Sequence, residues 1–273
     1  MKRNIDLIKL NKSLIKSFKK LNINKSQNVF IASDLSCLRK LRIPKKDLLD
    51  LIYKSIKFSL PKKSTIFVPT GNIDLCNKDF VFDIKETPSK DMGSFSEFIR
   101  KKKKTVRSLH PLWSVSANGE NSKLLNNVSK HSYGIGSPWS LMLDLDTVQI
   151  NIGKHPSKAV TLIHHIETIF GVPYRYNKQF LKKIKVNNKI IISDFYMSVF
   201  FKKIKAEKKI KLNEHYFNKL KKNKKLNHTI NEYGLEVWSF KMRDFYSMAI
   251  QEMKANIFNY LEKKPRLDLI KMY

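Results

Sequence analysis

A short apolar run, a helical stretch and a second apolar run near the amino terminus constrain this chain more than any other feature. Asn28-Val29-Phe30-Ile31-Ala32-Ser33 is short and continuously apolar, and reads as a buried strand. From roughly Lys46 to Leu60 the residues Leu48, Leu49, Leu51, Ile52 and Ile56 recur at helical spacing, and Pro61, whose ring cannot continue a helix, stops the run. Thr65-Ile66-Phe67-Val68 is a second strand, broken by Pro69-Thr70-Gly71. Two buried strands joined by a helix-length crossover predict parallel pairing, hence an α/β fold with a central, partly parallel sheet flanked by helices. The chain of 273 residues, 42% hydrophobic and 11% aromatic, carries enough apolar material for a large core, so a single α/β domain over 1–273 is expected.

The remaining periodicities agree with that class. Ile5, Leu7, Ile8, Leu14, Ile15, Phe18 and Leu21 predict an amphipathic helix with a lysine-rich outer face, and the four lysines from Lys101 read as the solvated end of a helix that starts at Ser94. Thr147 to Ile152 reads as a strand, with a helix following from about Ala159 to Phe170. Lys189 to Phe201 reads as a strand or hairpin, Glu236 to Phe240 as a strand, and Met242 to Leu261 as a closing amphipathic helix. The lysine-dense stretch from Lys202 to Lys225 is interrupted by Ile210, Leu212, Phe217 and Leu220, which predicts a small lysine-rich helical lobe over 202–230 in place of a disordered arm.

Charge is the most conspicuous bulk property. Lys+Arg 54 against Asp+Glu 23 gives a formal net charge of +31, which taken alone points to nucleic acid or an anionic membrane. The basic residues are mostly lysine and travel with many Asn and Ile, all encoded by A/T-rich codons, so compositional bias accounts for the excess without a polyanionic partner. No helix-turn-helix, zinc-finger or RNA-binding signature accompanies it, and no specific nucleic-acid partner is expected. Cys37 and Cys76 form no disulfide framework or metal pattern. No apolar run is long enough for a signal peptide or a bilayer span, so a cytoplasmic protein without membrane insertion is expected.

Three segments carry residue types suited to chemistry. Arg107-Ser108-Leu109-His110-Pro111 puts several hydrogen-bonding groups on one proline-fixed bend, which reads equally well as a ligand contact and as a buried turn held by its side chains. Gly134-Ile135-Gly136-Ser137-Pro138 lets a backbone approach a ligand closely, although no Lys-Ser/Thr follows to make it a P-loop. Thr161, His164 and Glu167 recur every three residues and share a helix face. A His–Glu pair one turn apart is an exposed hydrogen-bonded pair, half of a metal site, or a general base with its orienting carboxylate. No third ligand stands at a recognised spacing, because His131, His155, His215 and His228 are scattered, so no metal is expected. His165, turned away by about 100°, is expected to be structural or exposed. Neither cysteine has a histidine in a known local pattern for a covalent nucleophile.

In order, the chain reads Phe82-Asp83, Thr87-Pro88-Ser89, Met92-Gly93, Glu97, Arg100, Arg107-Ser108-Leu109-His110-Pro111, Ser114-Val115, Gly119, Gly136-Ser137-Pro138 and Thr161-Leu162-Ile163-His164-His165-Ile166-Glu167. That ordered set resembles the aminoglycoside 3-N-acetyltransferase family, from about Asn28 to the last helix and least between Asn177 and Asn231. Ser33-Asp34-Leu35-Ser36 looks like the family's first serine-rich loop, and Val68-Pro69-Thr70 like its Met-Pro-Thr strand end. The chain departs from the antibiotic-modifying members at Arg39, Lys40 and Arg42, where they have glycines, and at Gly71, where they have an aromatic.

The resemblance implies direct transfer from acetyl-CoA or another acyl-CoA to an amine. His164 is then the general base and Glu167 its orienting carboxylate. Ser33, Leu35, Arg107, Ser108, Ser114, Val115 and Ser137 are expected along the coenzyme A channel, and Asp83 and Thr161 at the acceptor. Aminoglycosides are polycations and match a +31 surface poorly, so an amino sugar linked to a nucleotide and destined for surface polysaccharide is the expected acceptor, with an aminoglycoside as the alternative. A non-enzymatic basic binding protein is the rival from another class. A homodimer is a further expectation.

Overall fold

The structure, a computed structural model, describes residues 7–201, 214–261 and 264–265. Its strands in chain order are β1 (Asn28–Ser33), β2 (Thr65–Pro69), β3 (Val81–Asp83), β4 (Val106–Arg107), β5 (Val115–Asn118), β6 (Val148–Ile152), β7 (Arg175–Val186), β8 (Lys189–Phe200), β9 (Asn227–Ile230) and β10 (Glu236–Lys241). The α-helices are α1 (Leu7–Lys19), α2 (Lys45–Ser59), α3 (Ser94–Arg100), α4 (Pro138–Asp144), α5 (Leu162–Phe170), α6 (Glu214–Lys222) and α7 (Met242–Ala255).

The expected parallel crossover is present: β1 pairs in parallel with β2, Val29 opposite Ile66, and α2 makes the connection. β6 pairs in parallel with the other side of β1, so the chain reverses its direction of sheet growth between β1 and β6. The full order is β4-β5-β2-β1-β6-β10-β9, a parallel centre with antiparallel flanks. Alternation along the strands then fixes two cores. Val29, Ile31, Ile66, Val68, Val148 and Ile150 face α1, α2 and α3. Phe30, Ala32, Phe67 and Phe240 face α4, α5 and α7, where the Trp139 ring meets Phe30 edge-on at 5.0 Å.

A second sheet, β3-β7-β8, covers this latter side. The expected strand or hairpin at 189–201 is one arm of a hairpin with twelve residues in each strand, turned by Asn187 and Asn188 at φ 48° and 63°. Two left-handed residues in a two-residue loop match the right-handed twist of the arms. β7 escapes sequence detection because seven of its twelve residues are Lys, Arg, Asn or Gln, so it lacks an apolar alternation. The lysine run from Lys101 follows α3, which ends at Arg100, and Ser114 precedes β5. Of the expected helical lobe, α6 buries Tyr216, Phe217 and Leu220 in the main core, with Phe217 stacked on Phe245 at 5.4 Å, while Ile210 and Leu212, like Ile5 at the amino end, lie outside the described residues. No described helix is long and apolar enough to cross a membrane.

Candidate active site

α5 forms because Leu162, Ile163 and Ile166 supply its buried face, and it ends where Gly171 takes the left-handed conformation at φ 63°. His164 and Glu167, one turn apart, are therefore neighbours by construction. The chain then turns at Pro173, and Tyr174 with Arg175, the first residue of β7, comes back to the same helix. Glu167 is 2% exposed by side chain: the Tyr174 hydroxyl donates to its Oε1 at 3.0 Å, and its Oε2 lies 2.8 Å from His164 Nδ1. Arg175 Nε stands 2.8 Å from the same Oε2 as an ion pair whose N–H is not directed at the oxygen. Burial alone would push the carboxyl up, but the His164 hydrogen bond, the charges of His164 and Arg175 and the Tyr174 hydroxyl together hold it below its ordinary value.

The His164 ring is 26% exposed, and the Tyr133 ring meets it edge-on at 5.5 Å. Among the described residues its hydrogen bonds fall on Nδ1, leaving Nε2 without a protein partner. His165, next along, is buried. Its Nδ1 accepts from Gly134 N at 3.2 Å and lies 3.5 Å from Ser137 Oγ, and burial pulls its pKa down to about 4. It is thus structural, fixing the Gly134–Ser137 turn beside the His164 ring. Ser137 also caps α4 through Ser140 N.

The Arg107 segment proves to be a buried tie. Its guanidinium donates to Thr87 O at 2.6 Å, Thr70 O at 2.5 Å and Ser114 Oγ at 2.9 Å, while burial pulls its pKa down to about 9. Ser108 Oγ accepts from Val115 N at 2.9 Å, and Ser114 Oγ donates to Thr70 O at 2.9 Å. The His110 Nδ1 accepts from Trp113 N at 3.0 Å, and its Nε2 lies 3.2 Å from Tyr196 O, joining this bend to β8. Arg107, Ser108, Ser114, Val115 and Ser137, expected along the coenzyme A channel, are all buried, and their hydrogen bonds shape the loops of this region.

Ser33 and Leu35 are partly exposed at the carboxyl end of β1, beside the end of β6. This is where the sheet reverses its order, the position at which open α/β sheets offer a crevice. Gly153 lies against it at φ 68°, where a Cβ would sit 1.9 Å from Asp34 O, and Gly93 abuts Ser33 O at φ 85°. Thr161 stands one turn before His164, partly exposed on the same face.

Asp83 does not join this site. Its Oδ1 accepts from Lys85 N at 2.8 Å and Glu86 N at 3.1 Å, and its Oδ2 lies 3.4 Å from Lys185 Nζ. Those amide bonds and the lysine hold its carboxyl below its ordinary value. It lines a cavity of about 600 Å³ with Lys85, Lys130, Lys185 and Arg107 at the hairpin tip. Lys185 is ten residues along β7 from Arg175, about 30 Å of strand, so Asp83, expected at the acceptor, sits at the far end of the hairpin from the His164–Glu167 pair. Pro173-Tyr174-Arg175 looks in sequence like the family's Pro-Tyr-Arg segment, but no spacing gives Tyr174 or Arg175 a role at His164; the return of the chain toward α5 does.

No curated protein is significantly similar in sequence. Among solved structures, the sisomicin-bound AAC-VIa studied by neutron and X-ray diffraction superposes with a TM-score of 0.76 at 16% identity, over 90% of this chain and 97% of that one. The YokD protein from Bacillus subtilis gives 0.71 at 16% identity over 91% and 94%, and the binary complex of AAC-IIIb with CoASH gives 0.73 at 15% identity over 93% and 98%. At such identities these likenesses speak for the fold. Family membership rests on the sequence itself: residues 62–254 match the family described as aminoglycoside 3-N-acetyltransferase. The chain, with its His164–Glu167 pair inside the matched span, belongs to the aminoglycoside 3-N-acetyltransferase family.

Proposed function

We propose that this protein transfers an acetyl group from acetyl-CoA to an amino group of an aminoglycoside-type amino sugar, with His164 as general base. The observation that carries the reading is the buried, anion-stabilised Glu167 holding the Nδ1 edge of a ring whose Nε2 is free. With the ring proton on Nδ1, Nε2 carries the lone pair and can accept a proton from an amine. The acceptor reaches the enzyme as an ammonium and releases one proton to solvent. Its nitrogen then attacks the thioester carbonyl, Nε2 takes the second amine proton, the C–N bond forms as the C–S bond breaks, and that proton passes to the departing sulfur. The products are an amide and a free thiol. Glu167 keeps the imidazole oriented and stabilises its charged form midway.

Ser33 and Leu35, at the crevice between β1 and β6, are the residues of this chain best placed to meet the acyl donor, and the close backbone approaches at Gly93 and Gly153 shape that crevice. Thr161, on the His164 face, is assigned to the acceptor. Arg107, Ser108, Ser114, Val115 and Ser137 act by shaping the loops around the two substrates. The structural relatives solved with sisomicin and with a gentamicin support an aminoglycoside acceptor.

A second reading of the acceptor has its own support. Arg39 and Lys154 lie close enough to Asp34, next to Ser33, to help hold its carboxyl below its ordinary value, where Ser36 has the larger effect, and the net charge is +31. A cationic mouth favours an amino sugar that also carries phosphate, such as a nucleotide-linked one. Thiol release from acetyl-CoA, measured with a panel of aminoglycosides and nucleotide-linked amino sugars, decides between them by which class saturates. Replacing His164 with Ala is expected to lower turnover at least about a hundredfold with either; near-normal turnover would remove His164 from the mechanism.

A further inference from the structure

His164 Nδ1 stands at one corner of a tight triangle. Glu167 Oε2 lies 2.8 Å away, Arg175 Nη2 lies 2.9 Å away, and Arg175 Nε is 2.8 Å from that same Oε2. In the ring plane a nitrogen holds either a proton or a lone pair, so Nδ1 can donate to Glu167 or accept from Arg175, but not both at once. Donation to Glu167 leaves the lone pair on Nε2, the form that takes a proton from an amine. Acceptance from Arg175 puts the proton on Nε2 and removes the base.

We propose that Arg175 is a positioning residue that sets which nitrogen of the neutral His164 ring carries the proton, by competing with Glu167 for Nδ1. The guanidinium is well fixed for that task. Its Nη1 donates to Ser198 O at 3.1 Å, its central carbon lies 3.8 Å from the Phe200 ring centre, and its side chain is only 6% exposed. Its aim is informative too: the Nη2 group is directed at Nδ1, whereas the Nε N–H is not directed at Oε2 despite the short distance. The other titratable groups facing the ring offer Nδ1 no rival donor. Glu167 comes from its own helix, Tyr174 from the residue before β7 with its hydroxyl on Oε1, and Tyr133 from the turn before α4 with its ring edge to the imidazole; behind Tyr174 lie Tyr216 and Tyr260. Burial pushes all four tyrosine hydroxyls up, so they stay neutral.

The functional consequence rests on His164 acting as the base. Arg175 steadies the buried Glu167 carboxylate and at the same time holds part of the His164 population in the tautomer that cannot accept the amine proton. A bound substrate that draws Nη2 onto an oxygen of its own would release Nδ1 to Glu167 and complete the base.

The test reads the tautomer directly. The full chain, labelled with ¹⁵N-histidine, is examined by long-range ¹H–¹⁵N correlation at alkaline pH, with the His164 signals assigned by their loss in His164→Asn. The wild type is expected to show both tautomers averaged. Arg175→Lys keeps the charge but loses the planar fork that reaches Oε2 and Nδ1 together, and should move the ring to the Nδ1-protonated form. Glu167→Gln removes the competitor and should move it to the Nε2-protonated form. The same tautomer pattern in wild type and Arg175→Lys overturns the inference, and thermal melts of each variant show that the fold is retained. Thiol release by the same samples separates the two readings: shifted tautomers in an inactive wild type would leave this inference standing without the proposed reaction, and activity with unshifted tautomers would do the reverse.

Discussion

Two buried histidines, His110 and His165, couple the stability of the fold to pH in a measurable way. Burial pulls His110 and His165 down to about 4 from an ordinary value of 6.5, so in the folded protein each ring stays neutral where the unfolded chain would bind a proton. The stability they contribute is fully present above about pH 6.5 and is lost as pH falls towards about 4, on the order of 3 kcal/mol per ring. The melting temperature should therefore fall as the pH is lowered from 7 to about 5, and His165→Gln should flatten that slope; a variant with the wild-type slope would show that His165 contributes none of it. In contrast, replacing His164, partly exposed and the proposed base, is expected to affect turnover far more than melting.

At the scale of elements, the crevice depends on how closely β1 and β6 end beside one another. Asp34 N donates to Ile152 O at 2.8 Å, and Gly153 N to Glu236 O at 2.7 Å, so the backbone after β6 passes directly under the loop that carries Ser33 and Leu35. Gly153→Ala introduces a Cβ at 1.9 Å from Asp34 O with φ at 68°. It is expected to cost about 1–3 kcal/mol and to raise the KM for acetyl-CoA more than it lowers kcat, because the proposed catalytic pair on α5 is held by separate contacts. Urea unfolding together with initial rates checks both halves of that statement, and a kcat loss with unchanged KM would separate the crevice from the acyl donor. The Arg107 tie works at the same scale: one guanidinium collects carbonyls from the loops at Thr70 and Thr87, and each of its three nitrogens donates inside the protein.

For the whole molecule, the net charge of +31 sets the long-range field. Coenzyme A is a polyanion, so its encounter with this surface is accelerated at low salt and screened as the Debye length shrinks from about 30 Å at 0.01 M to about 8 Å at 0.15 M. The KM for acetyl-CoA should accordingly rise several-fold over that range while kcat changes little; a salt-independent KM would show that the charge plays no part in donor capture. The strand–helix–strand order near the amino terminus, the alternation that puts Phe30 and Ile31 on opposite faces, and the i, i+3 pairing of His164 with Glu167 were all legible in the sequence, because each follows from the local period of one element. The motif order likewise placed the chain in its family. Tertiary structure alone decided the rest. β7 carried too little apolar pattern to be seen, and it is β7 that starts with Arg175 against α5, just after Tyr174, and carries Lys185 and its partner Asp83 away from it. Burial, equally a property of the folded whole, turned the Arg107 and Ser114 side chains inward to bind main-chain carbonyls, where the sequence could show only that a guanidinium and hydroxyls were available.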